Sequence, residues 1–336
     1  MAKKIRLEDL ARIAGVSIAT VSRALNDSPS VNEQTKREIW NLARKNGYNL
    51  RPTMPTSLDR AAATISIIIP PPQGREGWLR DPFFQELIGS VGEAARDRKC
   101  DLLISHASPQ SYDDLSRLLE INQSHGVIIL GQSFLHERLN RLVGHPTRFV
   151  VWGGELPGQQ YCSVGTDNVR GGKRATAHLA RLGRKRIAFF GDTEAPEIGQ
   201  RYDGYRMALD EAGLDFDPDL ISPAHFKIES AEAAVDALVS SRAKFDAIFA
   251  SSDMIALGAI RALQRHGISV PGDVSIVGYD DVQLARYNRP ALTTIRQDLA
   301  KAGSLMVAKL LNANSAQDMI SERLPTDLIM RESCGA

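Results

Sequence analysis

From about residue 64 to residue 292, short apolar runs alternate with segments of helical periodicity, and this alternation constrains the fold more than any other feature of the sequence. The runs are Ile65-Ser66-Ile67-Ile68-Ile69, Leu102-Leu103-Ile104, Val127-Ile128-Ile129-Leu130, Phe149-Val150-Val151-Trp152, Ile187-Ala188-Phe189-Phe190, Ala247-Ile248-Phe249-Ala250 and Val274-Ser275-Ile276-Val277. Between them the spacing predicts helices over Phe84 to Arg98, Asp113 to Gln123, Asn168 to Leu182, Arg201 to Ala212, Ala231 to Ser240 and Met254 to His266. Apolar strands alternating with helices mean parallel sheets covered on both faces, an α/β fold. About ten strands over ~270 residues suit two subdomains better than one wide sheet. A chain of 336 residues has room for two or three domains.

Several classes drop out early. The longest apolar run, Ile65 to Pro72, falls far short of the ~20 residues of a membrane span. The N-terminal Lys3, Lys4 and Arg6 lead into Glu8 and Asp9 rather than an apolar stretch, so no export signal and a cytoplasmic location are expected. Cys100, Cys162 and Cys334 are far apart and form neither a redox pair nor a zinc site. No phosphate-binding loop, dinucleotide fingerprint, nucleophile elbow or zinc-protease motif occurs. The seven histidines lack metal-ligand spacing. Asp280 and Asp281 are adjacent and point apart, which does not suit an acid/base pair. The expectation is a protein that is not an enzyme and uses no cofactor or metal.

The net charge of +1 hides an asymmetry: residues 1–60 hold 11 Lys/Arg against 6 Asp/Glu, and the remainder 30 against 34. A basic head on a mildly acidic body is the layout of a nucleic-acid reader joined to something else. Within the head, Leu7, Leu10, Ala11 and Ala14 mark one face of a helix. Gly15 breaks it, and Ser17 is placed to cap a second helix, Ile18 to about Asn26, with Val21, Ala24 and Leu25 inward. Asn32 can cap a third, running to about Asn46 with Ile39, Leu42 and Ala43 inside. Two short helices joined by a tight glycine turn make a helix-turn-helix, whose second helix enters the DNA major groove. Ile18 and Ala19 then lie over base edges, and Arg23 is placed for the bidentate contact to guanine. Ser17, Thr20, Ser22 and Asn32 are short polar groups suited to phosphates.

The runs Leu7-Glu8-Asp9-Leu10-Ala11, Ala14-Gly15-Val16-Ser17, Thr20-Val21-Ser22-Arg23-Ala24-Leu25-Asn26 and Val31-Asn32-Glu33-Gln34-Thr35-Lys36 resemble the DNA-binding head of the lactose-repressor/galactose-repressor family of bacterial transcriptional regulators. The resemblance implies that the positions of Ile18, Ala19 and Arg23 choose the operator sequence. It also implies a hinge helix after the head, with a leucine wedged into the minor groove. Here that stretch, Leu50 to Arg60, carries Pro52 and Pro55 and lacks the family's Ala-Arg-x-Leu. Two readings stay open. In one, Leu58, or secondarily Met54, is the wedge that bends the duplex. In the other, the segment is a plain linker.

Parallel sheets bind ligands at the carboxyl ends of their strands, and two facing subdomains enclose a cleft there. The residues after the strands include Asp81-Pro82-Phe83-Phe84, Trp152, Arg201, Ser251-Ser252-Asp253 and Gly278-Tyr279-Asp280-Asp281. Rings beside carboxylates and a guanidinium suit a sugar. The family resemblance continues through Thr166-Asp167-Asn168, Gly171-Gly172, Gly204-Tyr205, Ala256-Leu257-Gly258 and Pro290-Ala291-Leu292-Thr293-Thr294-Ile295. It implies a body like the periplasmic sugar-binding proteins, with effector contacts at Phe83, Phe84, Arg201, Ser252 and Asp280, and more weakly at Trp152 and Glu229.

The expected organisation is a helix-turn-helix head (1–49), a linker (50–63) and an effector-binding and dimerisation body (64–336). Within the body, subdomain 1 covers about 64–163 and 293–336, and subdomain 2 about 164–292. The Leu-Thr-Thr-Ile segment is expected to carry the chain back to subdomain 1, and Leu324 to Arg331 to add to that half. No tetramerising coiled coil follows before Ala336, so a homodimer is expected. The expected partners are a palindromic operator in double-stranded DNA and a small effector, a mono- or oligosaccharide; a non-sugar effector such as a purine is the alternative. No membrane partner is expected. A solute-binding receptor with the same body would carry no helix-turn-helix.

Overall fold

The computed structural model describes residues 7–25, 28, 30–46, 48, 63–70, 80–105, 107, 109, 111–121, 124–132, 135–225, 228–313 and 319–336. Leu58 and Met54, the two wedge candidates, lie outside the described residues. The chain divides into two units, residues 1–62 and 63–336.

The first unit contains three helices, α1 (Leu7–Ala14), α2 (Ile18–Leu25) and α3 (Glu33–Lys45). Leu10, Ala11, Val21, Ala24, Leu25, Ile39 and Ala43 form its core, with Leu42 and Trp40 partly buried against it. Trp40 donates its indole N–H to the Ala24 carbonyl (3.3 Å), which ties α3 to the C-terminal turn of α2. Gly15 takes the left-handed conformation (φ 66°) that the tight turn requires.

The second unit holds two six-stranded sheets. The first has the order β2 (Cys100–Ser105), β1 (Ala63–Ile68), β3 (Gly126–Leu130), β4 (Phe149–Trp152), β5 (Ser163–Thr166), β11 (Glu322–Leu324), and every pair is parallel. The second has the order β7 (Ile221–Ser222), β6 (Ile187–Phe190), β8 (Ala247–Ala250), β9 (Ser275–Asp280), β10 (Thr293–Gln297), β12 (Thr326–Ile329). It is parallel except for the antiparallel edge strand β12.

Both sheets are covered on both faces, which is why their central strands are mostly apolar. In the first sheet Ile65, Ile67, Ile128 and Val150 pack against Leu87 and Val91 of α4 (Pro82–Asp97) and Met306, Val307 and Leu310 of α12 (Leu299–Asn312). Ile68, Val127, Ile129 and Val151 meet Leu115 and Leu119 of α5 (Tyr112–Ile121) and Leu139 of α6 (His136–Arg141). In the second sheet, Phe189, Phe249 and Val277 pack against α7 (Asn168–Arg181) and α8 (Pro196–Glu211). The opposite face, with Phe190, Ile248 and Ile276, meets α9 (Ile228–Ser240) and α10 (Asp253–Arg265).

The place where the chain returns to the first sheet differs from the sequence expectation. Thr293–Gln297 pairs with β9 in the second sheet, Thr293 opposite Val277, so the Leu-Thr-Thr-Ile run is a strand of that half. Return comes after Gln297, where Asp298 caps α12 by accepting the Lys301 N–H (3.0 Å). Likewise only Glu322–Leu324 joins the first sheet, whereas Thr326–Ile329 adds the antiparallel edge to the second. Pro325 stands between the two strands, where a residue lacking an N–H belongs to neither ladder. Three short crossings therefore join the halves, after Thr166, after Gln297 and at Pro325.

Candidate nucleic-acid interface and effector cleft

In the head, α2 starts where the sequence spacing places a helix. Ser17 caps α2, its hydroxyl accepting the Thr20 N–H (3.1 Å) and lying 2.8 Å from the Thr20 hydroxyl. Because Val21, Ala24 and Leu25 turn inward, the opposite face carries Ile18, Ala19 and Arg23, all exposed. Ile18 is 47% exposed. Thr20 and Ser22 are half-buried at the margins of that face. Asn32 caps α3 through its Oδ1 and the Thr35 N–H (2.8 Å) and remains exposed.

In the body, the carboxyl ends of the strands converge on two clusters. The first is aromatic. Asp81 caps α4 by accepting the Phe83 N–H (2.9 Å), which fixes Phe83 and Phe84 at the start of the helix. Phe83 packs edge-on against Phe84 (5.4 Å between centroids) and lies 6.0 Å from the ring of Trp152 at the end of β4.

The second cluster is charged. Arg201, buried in α8, donates from Nε to Asn168 Oδ1 (2.9 Å) and from Nη1 to the Ser251 carbonyl (2.5 Å). Its guanidinium lies 3.7 Å above the centre of the Tyr279 ring and 3.9 Å from Asp280 Oδ1. Asp280, 7% exposed, ends β9 with φ 120°, a strained value for a residue with a side chain. Gln297 donates to Asp280 Oδ1 (2.7 Å) and accepts from Thr166 Oγ1 (2.7 Å). A continuous chain of polar contacts thus runs from two of the crossings, at Thr166 and Gln297, through Asp280 to Arg201.

Burial pushes the Asp280 carboxyl up to about 7; Arg201 opposes this, while Asp81 and Glu86 add to it. Asp253 is raised well above its ordinary range by burial and by the neighbouring Asp280. Asp253 is fully buried and accepts from the Val282 N–H (2.9 Å) and the Thr294 hydroxyl (2.5 Å). Asp281 turns away from the cluster to pair with Arg331 and Arg286, so the two adjacent carboxylates do separate work.

The halves meet around these clusters. Glu86 of α4 accepts the Gln283 N–H (2.8 Å) beyond β9. Gln200 of α8 donates to the Glu155 carbonyl (2.6 Å) beyond β4. Close backbone approach sets the position of Arg201: a Cβ at Gly172 would lie 2.1 Å from the Arg201 carbonyl oxygen, and one at Gly204 would lie 2.0 Å from that of Val169.

The remaining expected residues fall differently. Ser252 is 1% exposed and serves as the N-cap of α10, accepting the Ile255 N–H (3.3 Å). Glu229 is exposed in the first turn of α9 and joins neither cluster. The structure adds Asn168, Gln297, Gln132 and Glu197. Gln132, just beyond β3, donates to the Gly154 carbonyl (2.9 Å) and Tyr161 hydroxyl (3.0 Å), and its Oε1 is buried without a partner. The carboxyl of Glu197 is raised by burial, against the pull of the Gly154 N–H and of Arg201 and Arg323. The strand-end rule reaches Gln132, and Asn168 lies in a motif that the sequence already singles out. Gln297 is hidden by the misplaced return. Among the described residues no cluster of three or more metal-ligating side chains occurs, and no helix is long and apolar enough to cross a membrane.

A helix-turn-helix head joined to a body of two largely parallel sheets, with a charged and an aromatic cluster at the strand ends, is the layout of a DNA-binding protein with a binding-protein-like body, and the comparisons agree. Residues 6–49 match the model of the bacterial regulatory proteins of the lacI family, and residues 176–334 match the periplasmic binding protein-like domain. The chain is 30% identical over 336 residues to the HTH-type transcriptional regulator CelR of Thermobifida fusca, covering 97% of each chain. It is 32% identical over 340 residues to the HTH-type transcriptional regulator RegA of Clostridium saccharobutylicum, covering 97% of this chain and 98% of that one. The solved complex of transcriptional regulator CelR with cellobiose matches at a TM-score of 0.70 and 29% identity, over 98% of this chain and 100% of that chain. The lac repressor dimer bound to operator and the anti-inducer ONPF shares the fold, with a TM-score of 0.73 at 20% identity over 99% and 100%. The chain belongs to the lacI family of bacterial regulatory proteins. It is a DNA-binding transcriptional regulator, and its relatives are regulators rather than enzymes.

Proposed function

We propose that the protein is a cytoplasmic repressor of carbohydrate-utilisation genes that binds a palindromic operator as a homodimer and releases it when a small sugar occupies the cleft. The observation that carries this reading is the pairing of the Arg201–Asp280 cluster with the rings of Phe83, Phe84 and Trp152 at the strand ends. A guanidinium and a carboxylate take sugar hydroxyls in directed hydrogen bonds, and ring faces cover the C–H surface of a pyranose. Ser252 holds the start of α10 at the edge of this site. The complex of CelR with cellobiose favours a glucoside within that class.

In the head, Ile18, Ala19 and Arg23 read bases, while Ser17, Thr20, Ser22 and Asn32 set the register on phosphates. Leu103 and Ile104 on the edge strand β2, and Leu284 and Tyr287 on α11 (Gln283–Tyr287), are exposed apolar side chains. Such residues on a sheet edge and a helix favour burial against a second copy of the chain.

The test is operator binding by the full chain on DNA selected from a random pool, with and without a carbohydrate panel that includes cellobiose. The expected result is specific binding weakened by one sugar of the panel. Coupling of this kind is typically ~1–3 kcal/mol. Specific binding indifferent to every sugar but altered by a purine would overturn the sugar reading.

A further inference from the structure

A groove of about 590 Å³ runs along α7 where the helix borders the edge strand β12, away from the cleft residues. Its lining is Arg170, Lys173, Arg174, Ala177 and Arg181 on the helix, with Asp327 and Leu328 on the strand. We infer that this groove is a binding site for a small linear polyanion of the phosphate class.

The spacing from 170 through 173, 174 and 177 to 181 keeps these residues on one flank of α7. The sequence of α7 from Asn168 to Arg181 contains no acidic residue, so none of its cations is balanced within the helix. Like charges at such spacings weaken a helix, although Arg181, in the last turn, is favoured by the helix dipole. Compensation from outside is incomplete. Lys173 pairs with Glu211 (2.6 Å). Arg174 is fixed by the Thr326 carbonyl and lies 3.9 Å from Asp327, which is itself held by Arg296 (3.0 Å). Arg170 and Arg181 are exposed and have no ion-pair partner among the described residues. The groove therefore keeps a net positive charge, with two free guanidinium forks and a third held in place by backbone.

The dimensions choose among anions. At 1.5 Å per residue, the backbone positions of the two free guanidiniums, Arg170 and Arg181, lie roughly 16 Å apart along the helix, with Arg174 between them. A single phosphate cannot meet both ends, whereas a chain of linked phosphates can, each taking a bidentate guanidinium contact.

The experiment is calorimetric titration of the full chain with inorganic tripolyphosphate at fixed ionic strength, with orthophosphate as the short anion. Arg170→Gln combined with Arg181→Gln removes the two free guanidiniums, and because both side chains are exposed the melting temperature should stay at the parental value. The site predicts saturable binding of tripolyphosphate, at least tenfold weaker binding of orthophosphate, and at least a tenfold loss in the double variant. Arg23→Ala, in the basic head, should leave the affinity unchanged. Equal affinity of parent and double variant would overturn the proposal, as would loss of binding in Arg23→Ala or no binding at millimolar concentration.

Discussion

Arg23 and Asp280 carry the two halves of the account at the scale of single residues. Arg23 stands exposed on a helix whose other face is the head's core, and its guanidinium matches the O6/N7 edge of guanine. Arg23→Ala should lose ~1–3 kcal/mol at one base pair of each half-site and relax the preference there. Operator titrations with all four bases at that position check this, and an unchanged profile would remove Arg23 from base reading. Asp280 makes a different prediction. Its carboxyl holds its proton to about 7 in the folded chain, against roughly 3.9 for a free aspartate. Between those values the unfolded chain has released the proton and the folded chain has not, so stability falls as pH rises from about 4 to 7. Asp253, shifted in the same direction, adds to the trend. Asp280→Asn should flatten the fall of melting temperature between pH 5 and 7; a slope identical to the parent's would show that Asp280 titrates normally. The sequence names both residues by position alone, Arg23 on the outer face of a helix and Asp280 at the end of a strand. It could not show that Ser252 is a buried helix cap, since a serine after a strand reads alike as ligand contact and N-cap.

Among the elements, the crossing of α7 and α8 matters most for the cleft. Gly172 and Gly204 let the two backbones touch, and Arg201 stands on the helix so positioned. Gly172→Val would force α8 away, because the contacted atom is a carbonyl oxygen that cannot rotate aside. We expect a loss of about 1–3 kcal/mol in urea unfolding together with weakened effector binding. Parental stability would mean that the crossing yields without cost. The alternation of apolar runs made most strands and helices legible, and the strand ends then pointed to the cleft. The crossings were less legible. Thr293–Gln297 carries a single apolar residue, Ile295, among Thr, Arg and Gln, and the choice of sheet rests on pairing with β9, a long-range contact that periodicity does not encode. The short β5 and β12, four residues each, gave too few positions for a period to register.

In the whole molecule the proposed function couples a head that reads DNA to a body that responds to a small sugar, and the Thr166–Gln297–Asp280–Arg201 chain links two of the crossings between the halves to the charged cluster. Occupancy of the cleft changes operator affinity only to the extent that the sugar prefers one arrangement of the body over another. The most direct measurement is the operator affinity of Asp280→Ala across a titration of the sugar that weakens binding by the parent. The account predicts parental affinity without sugar, because Asp280 belongs to the second unit and the reading helix to the first, and no release at concentrations that release the parent. Release at the parental concentration, or loss of operator binding in the absence of sugar, would contradict it.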